Sequence, residues 1–159
     1  MRVLGVDPGT LKMGVGVIDK KGQQLHVVHY ETIKASNRLP LSKRLHVMFD
    51  QLEKLFETHC PDVLAMEDIF YCKDFKAAVK IGEARGLALV LAASRDIEIA
   101  EYLPNRVKQA VVGHGHATKE QVQKMVQRLL ELKEEPEMDA SDALAVAICH
   151  CHQNKVLVF

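Results

Sequence analysis

The sequence predicts an α/β protein in which one mixed β-sheet is flanked by helices. Three observations favour this class: short apolar strands cluster at the N-terminus, later strands alternate with helical segments, and brief links join the first strands. With 159 residues, of which 48% are hydrophobic, the chain can bury one sizeable core. It contains no low-complexity linker or internal repeat, so we interpret residues 1–159 as a single domain.

The first three predicted strands form an antiparallel meander. Residues 2–7 are a short apolar strand that ends in an acid, and residues 13–18 return after a Pro-Gly-Thr turn signal. Residues 25–33 follow a Lys-Lys-Gly turn and alternate loosely, which predicts the third strand. Consecutive strands with links this short are typical of antiparallel pairing.

Two further strands alternate with helices in the middle of the chain. Apolar residues at helical spacing predict a helix over 41–58, and an apolar run without alternation predicts a buried parallel strand over 63–67. An Ala-rich helix over 74–95 and a fifth strand over 97–102 follow. The predicted sheet therefore has five strands, of which three are antiparallel and the later ones parallel.

Three helices close the predicted fold. Pro104 opens a short helix that ends near Val112. Thr118, with Gln121 three residues later, fits a capping box and predicts the start of the next helix. The last helix is predicted over 140–150, where apolar residues dominate.

Composition excludes some functional classes and leaves others open. The chain has 21 Lys and Arg against 21 Asp and Glu, whereas nucleic-acid binders usually carry a basic excess, although residues 102–118 contain no acid. The longest apolar run, residues 87–93, is far shorter than the ~18 residues of a membrane span. The N-terminus lacks a signal-peptide core and the four cysteines lack a disulfide-framework spacing, so we expect a reduced, cytoplasmic protein.

Four acids occupy unusual positions. Asp7 ends the first predicted strand, and Glu67 ends the fourth, which we expect to lie beside the first. Asp139 and Asp142 lie at and just inside the start of the last helix, where a three-residue spacing puts them on nearly the same face. If that helix packs across the sheet edge where the two strands end, all four carboxylates converge.

Convergent carboxylates predict a metal site. They repel one another unless cations lie between them, and oxygen-only ligands select hard ions such as Mg²⁺ or Mn²⁺. Two such ions, ~3.5–4 Å apart, can activate a water and stabilise the leaving oxygen during attack on a phosphodiester. This chemistry requires no nucleophilic side chain.

Each acid also has a simpler interpretation, and the spacing pattern alone leaves it open. Asp7 before Pro-Gly is compatible with an ordinary turn. Asp139 or Asp142 is compatible with a cap at the helix N-terminus, which Asp favours. Glu67 is compatible with a solvated strand end.

Several motifs together resemble one known family. They are DPG at 7–9, Glu67 with Phe70 three residues later, GEARG at 82–86, VKQAVVGHG at 107–115, TKEQVQKMV at 118–126 and DASDALAVAICH at 139–150. In this order and spacing the chain resembles the RuvC-type Holliday junction resolvases, crossover junction endodeoxyribonucleases of the ribonuclease H-like superfamily. The resemblance runs from Arg2 to His152.

The resemblance implies a fold, an activity and partners. It implies a ribonuclease H-like fold in which Asp7, Glu67, Asp139 and Asp142 form a catalytic tetrad that binds Mg²⁺, with two ions per site and Mn²⁺ as a substitute. A homodimer would grip a four-way DNA junction and nick two strands of like polarity, leaving 5′-phosphate and 3′-hydroxyl ends for a ligase. This activity would serve homologous recombination and DNA repair, beside a branch-migration motor of the RuvA/RuvB type.

The resemblance also implies three DNA-contacting residues, of which Lys119 is also implied in catalysis. Lys108 and Lys119 match basic positions of the family, and Lys119 would lie near the scissile phosphate, where a cation can stabilise developing charge. Phe70 matches an aromatic used near the junction centre, where stacking on an unpaired base is worth ~1–3 kcal/mol, and Tyr71 is a more speculative contributor. The simpler interpretations are a solvated lysine at a helix start and a core phenylalanine.

Some positions depart from the family pattern. Asp74, Ala77 and Glu83 stand where the family often has Asn, Ser and Gln. Added acids near a DNA-binding face would weaken phosphate contacts, which bears on affinity rather than chemistry. Some relatives use His where this chain has Asp139, so the tetrad here is entirely acidic.

One metal-like motif is not interpreted as a site. Residues 149–152 read Cys-His-Cys-His, but alternate residues of a helix point ~200° apart and zinc sites prefer a C-x₂₋₄-C spacing.

Other functional classes remain as alternatives. A structured-RNA-processing nuclease could use the same fold, and an Asp-x-Gly-Thr turn also resembles the phosphate hairpin of actin-like ATPases. A non-catalytic junction-binding protein is less compatible with a complete acid tetrad, because retained buried charge needs a reason. For the dimer contact we predict the small-residue surface of the helix over 74–95, including Ala88.

Overall fold

The computed structural model describes residues 1–69 and 73–153, which build one sheet with helices packed on both faces. The strands are β1 (Arg2–Asp7), β2 (Lys12–Lys21), β3 (Gln24–Lys34), β4 (Val63–Glu67) and β5 (Glu98–Tyr102). The helices are α1 (Leu41–His59), α2 (Phe75–Ala93), α3 (Pro104–Val112), α4 (Lys119–Leu129) and α5 (Met138–His152). None of these helices is both long and apolar enough to cross a membrane.

The strand order β3-β2-β1-β4-β5 places the first strand in the middle of the sheet. β1 pairs with β2, and β2 with β3, in antiparallel fashion, whereas β1–β4 and β4–β5 are parallel pairs. This confirms the predicted mixed sheet and the predicted neighbourhood of β1 and β4. The C-terminal ends of these two strands therefore lie at the same edge of the sheet.

All the predicted elements are present, and the differences concern their boundaries. β2 extends to Lys21 and β3 begins at Gln24, because the hairpin between them turns tightly at Gly22, which has a φ of 60°. α5 begins at Met138, earlier than the predicted start at residue 140. The acids at the start of this helix consequently lie within its first turns.

Alternation along the strands separates two apolar cores. Val3 of β1 belongs to the core under α3, α4 and α5, whereas Leu4 and Val6 belong to the core under α1 and α2. α5 is buried most deeply, since every residue from 143 to 149 is buried.

α5 lies unusually close to β1 and β2, and glycines permit this approach. A Cβ on Gly5 would lie 2.0 Å from the carbonyl oxygen of Ala143, and one on Gly14 would lie 1.8 Å from that of Asp139. A side chain at either position would force the helix away from the sheet. Because Gly14 is the register partner of Asp7, this contact fixes the first turn of α5 beside the end of β1.

The structure corrects one part of the predicted dimer surface. Ala88 does not lie on the exposed face of α2, because it is fully buried, with Ala84, in the core that α2 shares with α1 and the sheet. The outward face carries Val79 and Val90, with exposed fractions of 44% and 64%, and the exposed Gly82 between them. The outward face of α2 does carry small and apolar residues, as predicted, but Ala88 is not part of it.

An arginine network ties the opposite edge of the sheet together. The Arg2 guanidinium donates to both carboxylate oxygens of Asp19, at 2.7 and 2.9 Å, and to the carbonyl of His59 at 2.8 Å. β1, β2 and the C-terminal end of α1 are thereby joined. The hydrogen bond from Arg2 holds the pKa of Asp19 below its ordinary value.

Replacing Arg2 tests this network. We expect Arg2→Ala to lower the free energy of unfolding at pH 7 by roughly 1–3 kcal/mol, because charge-assisted hydrogen bonds are lost. The lowered pKa of Asp19 stabilises the fold above the ordinary Asp pKa, and this part is lost as the pH falls through the folded-state value. Urea unfolding at pH 7 and pH 3 should show the deficit shrinking in acid. Arg128→Ala, at an exposed arginine of α4, is the control, and an equal deficit there would contradict the assignment.

Candidate active site

Two strand ends and one helix start meet at one edge of the sheet. Asp7 ends β1 and Glu67 ends its parallel neighbour β4, so both residues lie at the same edge. α5 packs across β1 and supplies Asp142 from its second turn. The three carboxylates line one cavity of about 210 Å³.

Two lysines line the same cavity from neighbouring helices. Lys108 comes from α3, and Lys119 is the first residue of α4, where its Nζ donates to Asp142 Oδ2 at 3.1 Å. The predicted capping box is confirmed: Thr118 Oγ1 accepts from the backbone of Gln121 at 3.2 Å, and the Thr118 N–H donates to Gln121 Oε1 at 2.9 Å. The box fixes the helix start from which Lys119 extends.

The remaining wall of the cavity is apolar. It consists of Val6, Pro104, Val107, Val122, Ala145 and Val146. An apolar wall lowers the local dielectric response, so the charges in the cavity act on one another more strongly than they would in open water.

Burial, reinforced by mutual repulsion, raises the pKa values of the carboxylates in the cavity. Burial raises the pKa of Asp7 to about 7, with repulsion from Asp142 and Asp139 acting in the same direction and Lys119 opposing it. Burial also raises the pKa values of Glu67 and Asp142. Repulsion from Asp142 adds to the effect on Glu67, and Lys119 partly offsets the effect on Asp142. The two lysines therefore leave part of the negative charge uncompensated.

Asp139 lies beside the cavity rather than in its lining. It is the second residue of α5, and its charge raises the pKa values of both Asp7 and Asp142. The residue that precedes the helix is Glu137, whose side chain makes no capping hydrogen bond. Neither Asp139 nor Asp142 caps α5, so the capping interpretation of these acids is wrong.

The acids fit a hard divalent cation in chemistry but are not gathered around one point. Across residues 1–69 and 73–153, no group of three or more His, Cys, Asp or Glu side chains is arranged to hold a metal ion. The cavity acids offer only carboxylate oxygens, the donors that Mg²⁺ and Mn²⁺ prefer. Burial, together with repulsion between the acids, raises the pKa values of Asp7 and Glu67, and Lys119 supplies a positive charge to Asp142.

Sequence reasoning missed an arginine that holds the end of β4. Arg85 of α2 donates through Nη1 to the carbonyl oxygen of Glu67 at 3.0 Å, and its Nη2 forms an ion pair with Glu101 of β5. The Arg85 side chain is only 12% exposed. The signal was present in the GEARG motif, but no sequence pattern connected that arginine to two strands. Arg85 thus fixes the backbone from which the Glu67 carboxylate extends.

The other singled-out residues lie elsewhere. Phe70 and Tyr71, predicted to contact DNA, lie outside the described residues. Asp74 caps α2, accepting through Oδ1 from the backbone of Lys76 at 3.0 Å and of Ala77 at 3.3 Å. Its acidic side chain therefore has a structural role at the start of the helix.

The four side chains of the Cys-His-Cys-His segment of α5 make separate contacts and do not share one site. Cys149 and Cys151 are buried, and burial raises the pKa of each thiol to about 11. His150 Nδ1 lies 2.6 Å from the Tyr102 hydroxyl on β5, and His152 Nδ1 lies 3.0 Å from a backbone carbonyl of α3. These side chains hold α5 to β5 and α3.

Comparisons with known proteins agree on one family. The sequence model of "Crossover junction endodeoxyribonuclease RuvC" matches residues 3–150. The protein of that name from Caldanaerobacter subterraneus subsp. tengcongensis is 43% identical over 158 residues, covering 99% of this chain and 96% of that protein. The Geobacter sulfurreducens protein of the same name is 45% identical over 152 residues, covering 96% of this chain and 93% of that protein.

Solved structures include one with the same architecture. The chain superposes on Thermus thermophilus RuvC, solved in complex with a Holliday junction substrate, with a TM-score of 0.88 and 37% sequence identity. The match covers 94% of this chain and 92% of that one. The ribonuclease H-like fold expected from the sequence is therefore confirmed.

The charge of Asp7 predicts a pH-dependent stability. Its folded-state pKa of about 7 exceeds the ordinary value of 3.8, so the folded protein loses stability as the pH rises between these values. We expect Asp7→Asn, which cannot ionise, to stabilise the metal-free protein by roughly 1–3 kcal/mol at pH 8 and by little at pH 4. Thermal unfolding in a chelator measures this difference.

The matched control is Asp96→Asn, which changes an exposed acid before β5, at the opposite edge of the sheet. We expect no pH-dependent gain there. A stabilisation by Asp7→Asn that is the same at pH 4 and pH 8 would contradict the proposed charge repulsion.

Proposed function

This chain belongs to the crossover junction endodeoxyribonuclease RuvC family, and we propose that it resolves four-way DNA junctions by cutting two strands of like polarity. Hydrolysis of each phosphodiester leaves 5′-phosphate and 3′-hydroxyl ends that a ligase can seal, which suits homologous recombination and DNA repair. The observation that carries this proposal is the cavity in which Asp7, Glu67 and Asp142 meet Lys119. The Thermus relative solved on a junction favours DNA junctions over structured RNA as substrate.

We propose Asp7, Glu67, Asp139 and Asp142 as ligands for two Mg²⁺ ions, with Mn²⁺ as a substitute. When bound, such ions supply an activated water and stabilise the leaving oxygen. Asp139 is included because its charge already acts on Asp7 and Asp142, although it does not line the cavity. Protons and cations compete for Asp7, since its pKa of about 7 lies near neutral pH.

We propose that Lys119 stabilises the negative charge that develops on the scissile phosphate. Its side chain lines the cavity, with the ammonium 3.1 Å from Asp142, on a helix start that the capping box holds in place. Attraction to Asp142 keeps it charged, since the pKa of Lys119 is raised although burial alone would lower it. Lys108 would contact the phosphate backbone from the neighbouring helix α3, and Phe70 would stack on an unpaired base at the junction centre.

We propose a homodimer whose contact is the outward face of α2. Paired nicks on a two-fold junction require two active sites, which a symmetric dimer supplies. Val79 and Val90 are exposed on this face, and Cβ atoms on Gly82 and Gly86 would meet nothing within 4 Å. Glycine inside a helix lowers helix stability by roughly 0.5–1 kcal/mol relative to alanine, and no packing within the described residues offsets this loss. Close approach of a partner helix would explain both glycines.

We further propose that the protein acts in the cytoplasm as one nuclease domain, beside a branch-migration motor of the RuvA/RuvB type. A motor that moves the junction would bring cleavable positions to a fixed cavity. The lack of a membrane-crossing helix among the described residues is compatible with this setting.

The cleavage assay tests the metal site. With a synthetic four-way junction and Mg²⁺, we expect the wild-type chain to nick two opposite strands, and Asp7→Asn or Glu67→Gln to slow cleavage by more than about 100-fold because a ligand is lost. Junction binding should persist in both variants. Mapping on all four strands, with and without chelator, gives the cut positions and end groups.

Asp96→Asn serves again as the matched control and should cleave normally. Full activity of Asp7→Asn, or cleavage that is unaffected by chelation, would refute the proposed metal site.

The α2 face gives an independent prediction. We expect Val90→Lys to shift the protein from dimer to monomer in sedimentation, because a charge replaces an apolar contact. Gly82→Ala and Gly86→Ala should raise helix stability in each monomer by roughly 0.5–1 kcal/mol yet weaken the dimer at least about tenfold, since they block close approach.

Ile99→Lys, on the exposed edge strand β5, is the control and should leave the dimer unchanged. If Val90→Lys and Gly86→Ala both leave the dimer unaltered, the dimer contact lies on another surface of the molecule.

A further inference from the structure

A surface rich in cations lies at the active-site edge of the sheet, around the starts of β2 and α1. The sequence contains no Asp or Glu between Glu31 and Asp50. Over this stretch it carries the cations Lys34, Arg38, Lys43 and Arg44. Lys12, at the start of β2, adds a further cation beside them.

The sheet register places Lys12 and Lys34 at this edge. They are partners in the β2–β3 ladder, and the Ala35 N–H donates to the Leu11 carbonyl at 2.9 Å just beyond them. Asp7 pairs with the residue two positions after Lys12. Lys12 therefore extends roughly 7 Å past the end of β1, at ~3.4 Å per residue.

The direction of α1 brings Arg38 and Lys43 to the same edge. The last residue of α1, His59, contacts Arg2 at the start of β1, so the helix runs from the active-site edge toward the opposite one. Its 19 residues span about 28 Å at ~1.5 Å each, whereas the six residues of β1 span about 20 Å. Lys43, in the first turn, therefore projects beyond the strand end, and Arg38 lies in the loop before it.

Three of these cations are available to a partner. Lys12, Arg38 and Lys43 are exposed, and none of them forms an ion pair with a residue in the described part of the chain. Lys34, by contrast, pairs with Glu137 at 2.9 Å. The start of α1 has no acid in its first turn and no side-chain cap, so its dipole adds to the positive field.

We propose that Lys12, Arg38 and Lys43 form a phosphate-binding surface for a duplex arm of the DNA junction. The proposal rests on the proposed function, because it takes the strand cut in the cavity as the strand that continues over this surface. Lys12 lies one strand from β1, at ~4.8 Å per strand, whereas Arg38 and Lys43 belong to the α1 layer on the other face of the sheet. The surface therefore suits phosphates several nucleotides from the scissile one, on a strand that continues over this edge of the sheet. All three side chains end in cationic groups that pair with phosphate oxygens, and contacts to phosphate carry no base information, so binding would be independent of base sequence.

The test compares two charge-matched double variants in junction binding as a function of salt, with chelator present. We expect Arg38→Gln/Lys43→Gln to lower K, the association constant for the junction. We also expect the plot of log K against log salt concentration to become shallower by about 1–2, since each lost phosphate contact removes about 0.9 from the magnitude of its slope. Lys12→Gln should lower the magnitude of the slope by about 1. Lys21→Gln/Lys54→Gln removes the same charge near the opposite edge and should leave the slope unchanged.

The single-turnover cleavage rate at saturating protein should be unchanged in Arg38→Gln/Lys43→Gln, because the surface binds ground state and transition state alike. If the wild-type chain binds junctions but the salt slope of that variant is unchanged, the proposed phosphate-binding surface is refuted and the proposed function is not. A weakened affinity for structured RNA but not for duplex-armed junctions would also overturn the proposed surface. A wild-type chain that neither binds nor cuts junctions would instead overturn the proposed function.

Discussion

The close contact between α5 and the β1–β2 pair is the constraint on which the site depends. Gly5 and Gly14 bring the helix backbone to the sheet at distances where any Cβ would collide with a carbonyl oxygen. Because Gly14 pairs with Asp7, the contact that seats the helix also sets how far its first acids lie from the strand end. The same two glycines therefore determine both the packing of α5 on the sheet and the position of its acids. A change that moved the helix would also move the acids.

That packing concentrates negative charge which the fold neutralises only in part. The pKa of Asp7 rises to about 7 because burial and two neighbouring acids act together, while one ammonium, that of Lys119, opposes them. The counter-charge comes from a helix start held by a capping box, so its position is as fixed as that of the acids. The metal-free protein thus keeps an arrangement that costs stability, as expected where structure serves ligand binding rather than folding.

Element order and strand pairing could be predicted because alternation, helical spacing and turn residues are local signals. The start of α5 could not, because no side chain caps it and the apolar pattern shows only where burial begins. Ala88 was misplaced because α2 is apolar on most sides, so its spacing does not reveal which face is buried. The link from Arg85 to Glu67 and Glu101 joins common charged residues that are distant in sequence, and only the folded chain shows it. Asp139 and Asp142 share nearly one face as expected, yet only Asp142 lines the cavity.

A formal net charge of zero conceals a strong separation of charge at one edge of the sheet. Acids occupy the ends of β1 and β4, whereas cations lie at the starts of β2 and α1, in α3, and at the start of α4, where Lys119 pairs with Asp142. A polyanion approaching the acids would be repelled until cations fill the cavity, and the flanking lysines and arginine would attract it throughout. Cations bound in the cavity would then reverse the sign of the local electrostatic field at the point where the phosphodiester is cut. The distribution of charge, rather than its total, therefore lets a chain with no net charge accept a polyanion at this edge.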